Sequence, residues 1–170
     1  AKVLKREAKD SAPFSALVFK IMTEEFGQLA YFRVYSGRLR MGESFYNATQ
    51  KKEERAGRIL RMSAHKSEIV KEIGTGQIGA LLGSKFSTTG DTLCVRSQPI
   101  LLEAMSFPEP VMKVTIEPKT QADIKKLDEA IHAMLREDPT LQLQKDPDSG
   151  QTVISGMGEL HIDIVRSRLE

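Results

Sequence analysis

The chain has 170 residues, of which 40% are apolar and 28% are charged. This balance is ordinary for a folded globular protein and excludes a disordered chain. The formal net charge of +2, from 25 basic and 23 acidic side chains, argues neither for nor against a polyanionic partner, so any such site depends on local clusters.

Cysteine usage and hydropathy indicate which cellular environment suits the protein. Cys94 is the only cysteine, which excludes an intramolecular disulfide and fits a reducing environment. The sequence has no apolar run of about 18–20 residues and no signal-peptide pattern at its start. We therefore expect a protein without a membrane partner.

The first half of the chain, from Phe14 to about Arg96, alternates apolar and polar residues and is broken by turn-forming residues. Such patterning predicts short strands. Two sets of side chains are each expected to share one face of a strand: Leu17, Phe19 and Ile21, then Ala30, Phe32 and Val34. Further strands are predicted at Glu43–Ala48, Gly57–His65, Gly76–Leu82 and Asp91–Val95. Strands without an intervening helix predict an all-β barrel, because closure removes exposed edges.

After Pro99 the pattern mixes strand and helix periods. Alternation over residues 112–116 predicts a half-buried strand. Apolar residues recur at helical spacing from Ile124 to Met134, which predicts a helix with Thr120 as its N-cap. Asp138-Pro139 is expected to end this helix.

Two more strands and a second helix complete the predicted order. The strands are Leu141–Lys145 and Gln151–Ser155, joined by a turn at Asp146–Gly150. The helix begins near Gly158 and continues to Leu169. The order β-α-β-β-α is one strand short of a ferredoxin-like fold. We therefore expect an α+β domain truncated by its last strand, cut from a longer protein.

Prolines at 99, 108 and 110 predict an extended linker between the two halves, within residues 97–110. The predicted domains are accordingly a β-barrel domain, residues 1–98, and a ferredoxin-like domain, residues 99–170.

Three stretches resemble the elongation factor G family of translational GTPases. They are Tyr31–Gly37, Phe107–Val111 and Ser155–Ile164, of which the last, SGMGELHIDI, is the most specific. Weaker support comes from Thr89–Leu93, Glu117–Lys119 and Glu137–Thr140. In that family the matching segment is the second domain, a barrel, followed by the third, a ferredoxin-like domain. The resemblance therefore implies the two folds that the periodicity predicts.

No enzymatic activity is expected of this chain. The phosphate-binding loop G-x-x-x-x-G-K-[ST] is absent from the sequence, and the nearest glycine-bearing stretch, Gly74–Gly83, lacks its ending. The sequence offers no catalytic nucleophile with a base and no metal-ligand spacing. We expect no cofactor and no metal here, whereas the resemblance implies that the parent protein is a GTPase that binds GTP and Mg²⁺ in its first domain.

Basic and aromatic residues cluster around the second predicted strand. Arginines beside aromatic side chains can bind phosphate and stack on exposed bases. The alternative is a solvated surface interleaved with Glu43, Glu53 and Glu54, which composition alone favours. The resemblance instead implies contact with small-subunit ribosomal RNA, for which the candidates are Arg33, Tyr35, Arg38 and Arg40.

A second candidate site follows from the resemblance. It implies that four residues face the GTPase domain and line the pocket where fusidane antibiotics bind: Asp138, Thr140, Leu160 and His161. The plain alternative is that Gly156 and Gly158 only permit a tight turn from strand to helix.

The resemblance implies a translocation factor that binds the ribosome and couples GTP hydrolysis in an absent GTPase domain to ribosome movement. The expected partners are the ribosome and the other domains of the parent chain, with a monomeric segment in the bacterial cytoplasm. One alternative is the mitochondrial ribosome-recycling branch of the family, in the mitochondrial matrix, to which Arg136–Pro139 and Asp146–Gly150 have some likeness. Another is a stand-alone RNA-binding or ligand-sensing module.

Overall fold

The computed structural model describes residues 4–24, 27–63, 66–102, 105–118, 120 and 123–169. The chain divides into two compact units, Ala1–Met105 and Ser106–Glu170. This division lies beyond the boundary predicted after residue 98, because the segment that follows the barrel still packs against it. Ile100 is buried there, and the N–H of Leu102 donates to Thr92 Oγ1 at 3.1 Å.

Ten strands are described in the first unit. They are β1 Ser15–Glu24, β2 Gly27–Ser36, β3 Arg38–Arg40, β4 Ser44–Asn47, β5 Lys52–Arg55, β6 Ile59–Ser63, β7 Lys66–Val70, β8 Glu72–Gly74, β9 Ile78–Leu82 and β10 Thr92–Cys94. Eight form an antiparallel sheet in the order β5-β4-β10-β1-β2-β9-β6-β7, and β3 pairs with β8. The predicted barrel domain is confirmed, with a core drawn from most of its strands.

Sequence periodicity locates the strands that contribute most to this core and misses four others. The missed strands are β3, β5, β7 and β8, which are short or mainly polar and therefore lack the apolar alternation that marks a strand. β5 is the clearest case, since all four of its residues, Lys52–Arg55, are charged. The predicted end of one strand at His65 lies outside the described residues.

A β-bulge changes the face assignment in β1. The prediction for β2 is confirmed, since Ala30, Phe32 and Val34 are all buried. The prediction that Leu17, Phe19 and Ile21 share one face is wrong. The register against β2 steps from Val18 to Lys20, which leaves Phe19 unpaired and turns Ile21 into the core. A bulge of this kind bends the strand and re-aims the side chains around it.

The second unit has the predicted β-α-β-β-α order. Its elements are β11 Met112–Ile116, α1 Ile124–Glu137, β12 Gln142–Lys145, β13 Thr152–Gly156 and α2 Glu159–Leu169. The strands form an antiparallel sheet in the order β11-β13-β12, so that α1 crosses over β13 between β11 and β12. Apolar residues of both helices pack with those of the sheet in one core. The ferredoxin-like architecture is confirmed.

The start of α1 differs from the prediction. Asp123, and not Thr120, is the residue before the helix, and its side chain makes no capping hydrogen bond. The hydroxyl of Thr120 instead donates to the Asp123 carboxylate at 2.6 Å. At the other end, Asp138 adopts an extended conformation, as the following proline requires.

Candidate functional site

A histidine-centred network joins the end of α1 to the start of α2. The Nε2 atom of His161 lies 2.7 Å from Oδ2 of Asp138, and Nδ1 lies 2.9 Å from the backbone nitrogen of Met157. Because Met157 can only donate, Nδ1 is the acceptor, and the proton on Nε2 is donated to Asp138. Both ring nitrogens are therefore engaged, which leaves His161 no free nitrogen for acid-base chemistry.

Asp138 binds the following turn with its other oxygen. Oδ1 accepts hydrogen bonds from the N–H of Thr140, at 2.9 Å, and from its hydroxyl. Burial acts to raise the pKa of Asp138, but the bonds from Thr140 and His161 outweigh it and hold the pKa below its ordinary value. The carboxylate is therefore ionised and fully bonded at neutral pH.

The local sequence explains why these two turns meet. A side chain at Gly156 would place its Cβ 2.9 Å from the Ile162 side chain and 3.0 Å from His161 Nδ1. Any side chain at Gly156 would therefore force the Ile162 side chain and the His161 ring to shift, so glycine lets the strand pass close to the first turn of α2. On the other side, Pro139 holds Asp138 extended, which directs the chain away from α1.

Of the four residues predicted to form a docking face, the structure brings three into this network: Asp138, Thr140 and His161. The fourth, Leu160, is 75% exposed and lies beside His161 at the start of α2. We call these four residues the α1–α2 rim. It combines a fixed polar network with one projecting apolar side chain and contains no nucleophile paired with a free base.

The four predicted RNA-binding residues fall into two groups. Arg38 donates to Oε1 of Glu72 at 2.7 Å and to Oδ2 of Asp10 at 2.9 Å. Arg40 bonds the second oxygen of Glu72 at 3.1 Å and lies 3.7 Å from Glu43. Carboxylates of the same unit therefore neutralise both arginines.

These ion pairs contribute to lowered pKa values of the carboxylates that form them. The hydrogen bond from the Thr75 N–H lowers the pKa of Asp10, and Arg38 lowers it further, although desolvation acts to raise it. Hydrogen bonding by Arg40, joined by Arg38, lowers the pKa of Glu72. The cluster accordingly links β3, β8 and the segment before β1 through exposed ion pairs.

Arg33 and Tyr35 remain available on the outer face of β2. The Arg33 guanidinium carbon lies 5.6 Å from the centroid of the Tyr35 ring, which is 45% exposed. Within the described parts of the chain no carboxylate pairs with Arg33. These two residues therefore keep the chemistry expected of an RNA contact.

Sequence reasoning missed the partners of both sites. Asp10 and Glu72 lie 28 and 34 residues from Arg38 in sequence, and Met157 joins the network through its backbone. No local pattern could have identified them. Gly74 accommodates the Asp10 carboxylate, since a Cβ there would approach Asp10 Oδ1 to 2.8 Å, but a glycine in the sequence does not identify its neighbour.

Two negative findings apply to the described residues alone. No group of three or more His, Cys, Asp or Glu side chains there is placed to hold a metal ion. No helix there combines the length and apolar character needed to cross a membrane.

Comparison with known proteins identifies the family. Residues 13–96 match the family model for elongation factor G domain 2, and residues 107–170 match that for Elongation Factor G, domain III. The crystal structure of ttk003000868 from Thermus thermophilus is similar over 92% of this chain, with 29% identity and a TM-score of 0.77. The chain spans 24% of that protein's length. With both units matched in order, this chain belongs to the elongation factor G family and comprises its second and third domains.

Proposed function

We propose that this segment binds the ribosome and transmits the nucleotide state of a GTPase domain, carried elsewhere in the parent chain, to ribosome movement. The segment itself binds no nucleotide and catalyses no reaction, and GTP and Mg²⁺ belong to the parent protein. The observation that carries the proposal is the α1–α2 rim, in which a side-chain network joins two separate turns.

Transmission requires an element that moves as one piece. A nucleotide-dependent domain can shift the balance of two states only through contacts that differ between them. The hydrogen bonds of His161 and Asp138 couple the two turns, so that a displacement of one turn also displaces the other. Leu160 then supplies an exposed apolar side chain that a neighbouring domain can bury.

The barrel would supply the ribosome contact. Arg33 and Tyr35 can bind phosphate and stack on a base of small-subunit ribosomal RNA. Arg38 and Arg40 would have to exchange the carboxylates of Asp10 and Glu72 for phosphate. We therefore propose that Arg33 contributes more to RNA affinity than either of them. The proposal further includes a monomeric segment and a bacterial cytoplasmic location.

The experiment uses the full-length parent factor with Leu160→Ala. Losing one buried leucine contact costs about 1.5–3 kcal/mol, so ribosome-stimulated GTP hydrolysis should fall by about tenfold or more. The nucleotide affinity of the factor should remain at the wild-type value, because the 170-residue segment that carries Leu160 has no phosphate-binding loop. Ile164→Ala is the matched control, since Ile164 is one turn further along α2 and is 53% exposed. Unchanged turnover in Leu160→Ala, or an equal loss in Ile164→Ala, would reject the rim as the coupling surface.

A further inference from the structure

The outer face of β1 and β2 carries a cluster of aromatic and basic side chains that extends beyond Arg33 and Tyr35. We call it the aromatic face and define it by Phe19, Lys20, Tyr31, Arg33 and Tyr35. Phe19 is 38% exposed and Tyr35 is 45% exposed, although both lie on central strands of the sheet. The face lies on the opposite side of the sheet from the buried core residues of the same strands.

Rings and cations alternate across this face. The Phe19 and Tyr31 ring centroids are 6.4 Å apart with a 52° tilt. The ammonium of Lys20 lies 5.9 Å from the Tyr31 ring, and Arg33 lies 5.6 Å from the Tyr35 ring. Each cation therefore sits at an aromatic ring, and the side chains of Phe19 and Tyr35 are exposed to solvent while Tyr31 is half-buried.

The β-bulge in β1 creates this arrangement. Regular alternation would direct Lys20 to the core and Ile21 to solvent, whereas the extra residue exposes Lys20 and buries Ile21. Bulges frequently re-aim side chains at functional sites. The irregularity thus has a specific result, which is a second cation beside the aromatic rings.

The charge of the face identifies the kind of partner. No acidic residue occurs at positions 17–20 or 31–35, nor at 78–80 on the neighbouring β9. Arg38 and Arg40, by contrast, are neutralised by carboxylates. Among the residues that the structure describes, no carboxylate pairs with Lys20 or Arg33, and cations interleaved with aromatic rings match a chain of planar bases joined by phosphates.

We propose that the aromatic face binds unpaired nucleotides of RNA, with bases stacked on Phe19, Tyr31 and Tyr35 and phosphates held by Lys20 and Arg33. The inference rests on the proposed function, because ribosome binding supplies the RNA. Tyr31 and Tyr35 are separated by about 13 Å along the strand, which accommodates two or three splayed nucleotides. Paired bases of a duplex present no open ring surface to this face.

The protein provides its own optical probe. It contains three tyrosines and no tryptophan, and two of the three tyrosines lie on the aromatic face. Titration of the 170-residue chain with a single-stranded oligouridylate should quench tyrosine fluorescence saturably, and an RNA duplex of equal charge should not. Phe19→Ala should weaken oligouridylate binding by about tenfold while its salt dependence stays unchanged, because a stacking contact is lost and no phosphate contact is.

Matched variants test whether the loss of RNA binding is specific to the aromatic ring at Phe19. Phe86 is 40% exposed and has the Lys52 ammonium 4.0 Å from its ring centroid, but it lies on the loop before β10 and not on the aromatic face. Phe86→Ala should therefore change the affinity for oligouridylate by less than about twofold. Phe19→Trp should restore binding, and Phe19→Leu should not. Wild-type affinity in Phe19→Ala, or equal quenching by duplex, overturns the inference.

Ribosome binding by the full-length factor separates this inference from the proposed function. If the Phe19→Ala factor binds ribosomes as the wild type does, the aromatic face is not the contact and only this inference fails. If the wild-type factor does not bind ribosomes, the proposed function fails. Loss of ribosome binding in the variant without any quenching by RNA assigns the face to a ribosomal protein and likewise overturns the inference.

Discussion

His161 and Asp138 are hydrogen-bonded at 2.7 Å although 23 residues separate them in sequence. The bond links the start of α2 to the end of α1, and Met157 holds the other side of the imidazole. With both ring nitrogens and both carboxylate oxygens in use, the pair is a structural joint. Its loss should therefore be measurable as lost stability of the second unit.

Replacing His161 tests this joint. His161→Ala leaves the Met157 N–H and the Asp138 carboxylate without their partner, which should lower the free energy of unfolding by about 1–3 kcal/mol. The control is His132→Ala on α1. The His132 side chain is 62% exposed and its ion pair with Asp128, at 3.6 Å, is long, so the expected cost is within about 0.5 kcal/mol. Urea denaturation gives both values, and equal costs would show that the joint contributes nothing.

Asp138 should make stability depend on pH in the acid range. Its pKa in the folded protein lies below the ordinary value of 3.8. A depressed pKa stabilises the folded state fully above the unfolded-state pKa, and this contribution is lost as the pH falls from about 4 towards the folded-state pKa. Asp138→Asn should remove this part of the acid sensitivity. Urea midpoints measured from about pH 5 down to about pH 3 should converge for the two proteins, and parallel profiles would contradict the prediction.

Gly37 should be irreplaceable where Gly76 is not. Both have positive φ, +70° and +81°, but a Cβ at Gly37 would lie 2.5 Å from the Ala12 carbonyl and 2.6 Å from backbone atoms of Phe14, whereas Gly76 has nothing within 4 Å. Gly76→Ala should cost about 1–2 kcal/mol of backbone strain. Gly37→Ala should cost more than about 3 kcal/mol, because the segment before β1 must also move. Thermal unfolding of the two variants measures the difference, and equal costs would contradict the predicted clash.

Glu54 should fix the loop before β10. Its carboxylate accepts hydrogen bonds from the N–H of Lys85 at 2.8 Å, the N–H of Phe86 at 3.3 Å and the Ser84 hydroxyl at 3.1 Å. Glu54→Ala should lower stability by about 1–3 kcal/mol and accelerate hydrogen exchange at both amides. The adjacent Glu53→Ala removes only an exposed ion pair with Arg96 and should change neither quantity appreciably. Unaltered exchange in Glu54→Ala would mean that the loop holds its shape without this carboxylate.

Cys94 should react only when the barrel opens. The side chain is fully buried, and burial raises the pKa of the thiol, so both access and thiolate formation are suppressed. Labelling by a thiol reagent should be at least about a thousandfold slower than at an accessible cysteine, as the opening equilibrium of a stable unit requires. Ser149→Cys in a Cys94→Ala background supplies that reference rate. Rapid labelling of native Cys94 would contradict the barrel core.

Periodicity predicted both folds because it records burial, which each strand and helix displays within its own few residues. Ala30, Phe32 and Val34 show this directly, since a regular strand places alternate side chains on one face. The same logic failed at Phe19, where one extra residue in β1 reverses the alternation. Whether a strand contains a bulge depends on how its neighbour pairs with it, and local sequence does not contain that information.

The sequence by itself determined the family and the order of domains, through the stretch Ser155–Ile164 and the change of period after Pro99. Only the tertiary structure decided which side chains are free to act. The sequence gives no reason to distinguish Arg33 from Arg38. In the folded protein, Arg38 forms ion pairs with Asp10 and Glu72, whereas Arg33 makes a cation–π contact with Tyr35. Ion pairs are made between residues that folding brings together from distant parts of the chain, and the charge left for a partner is therefore a property of the folded surface.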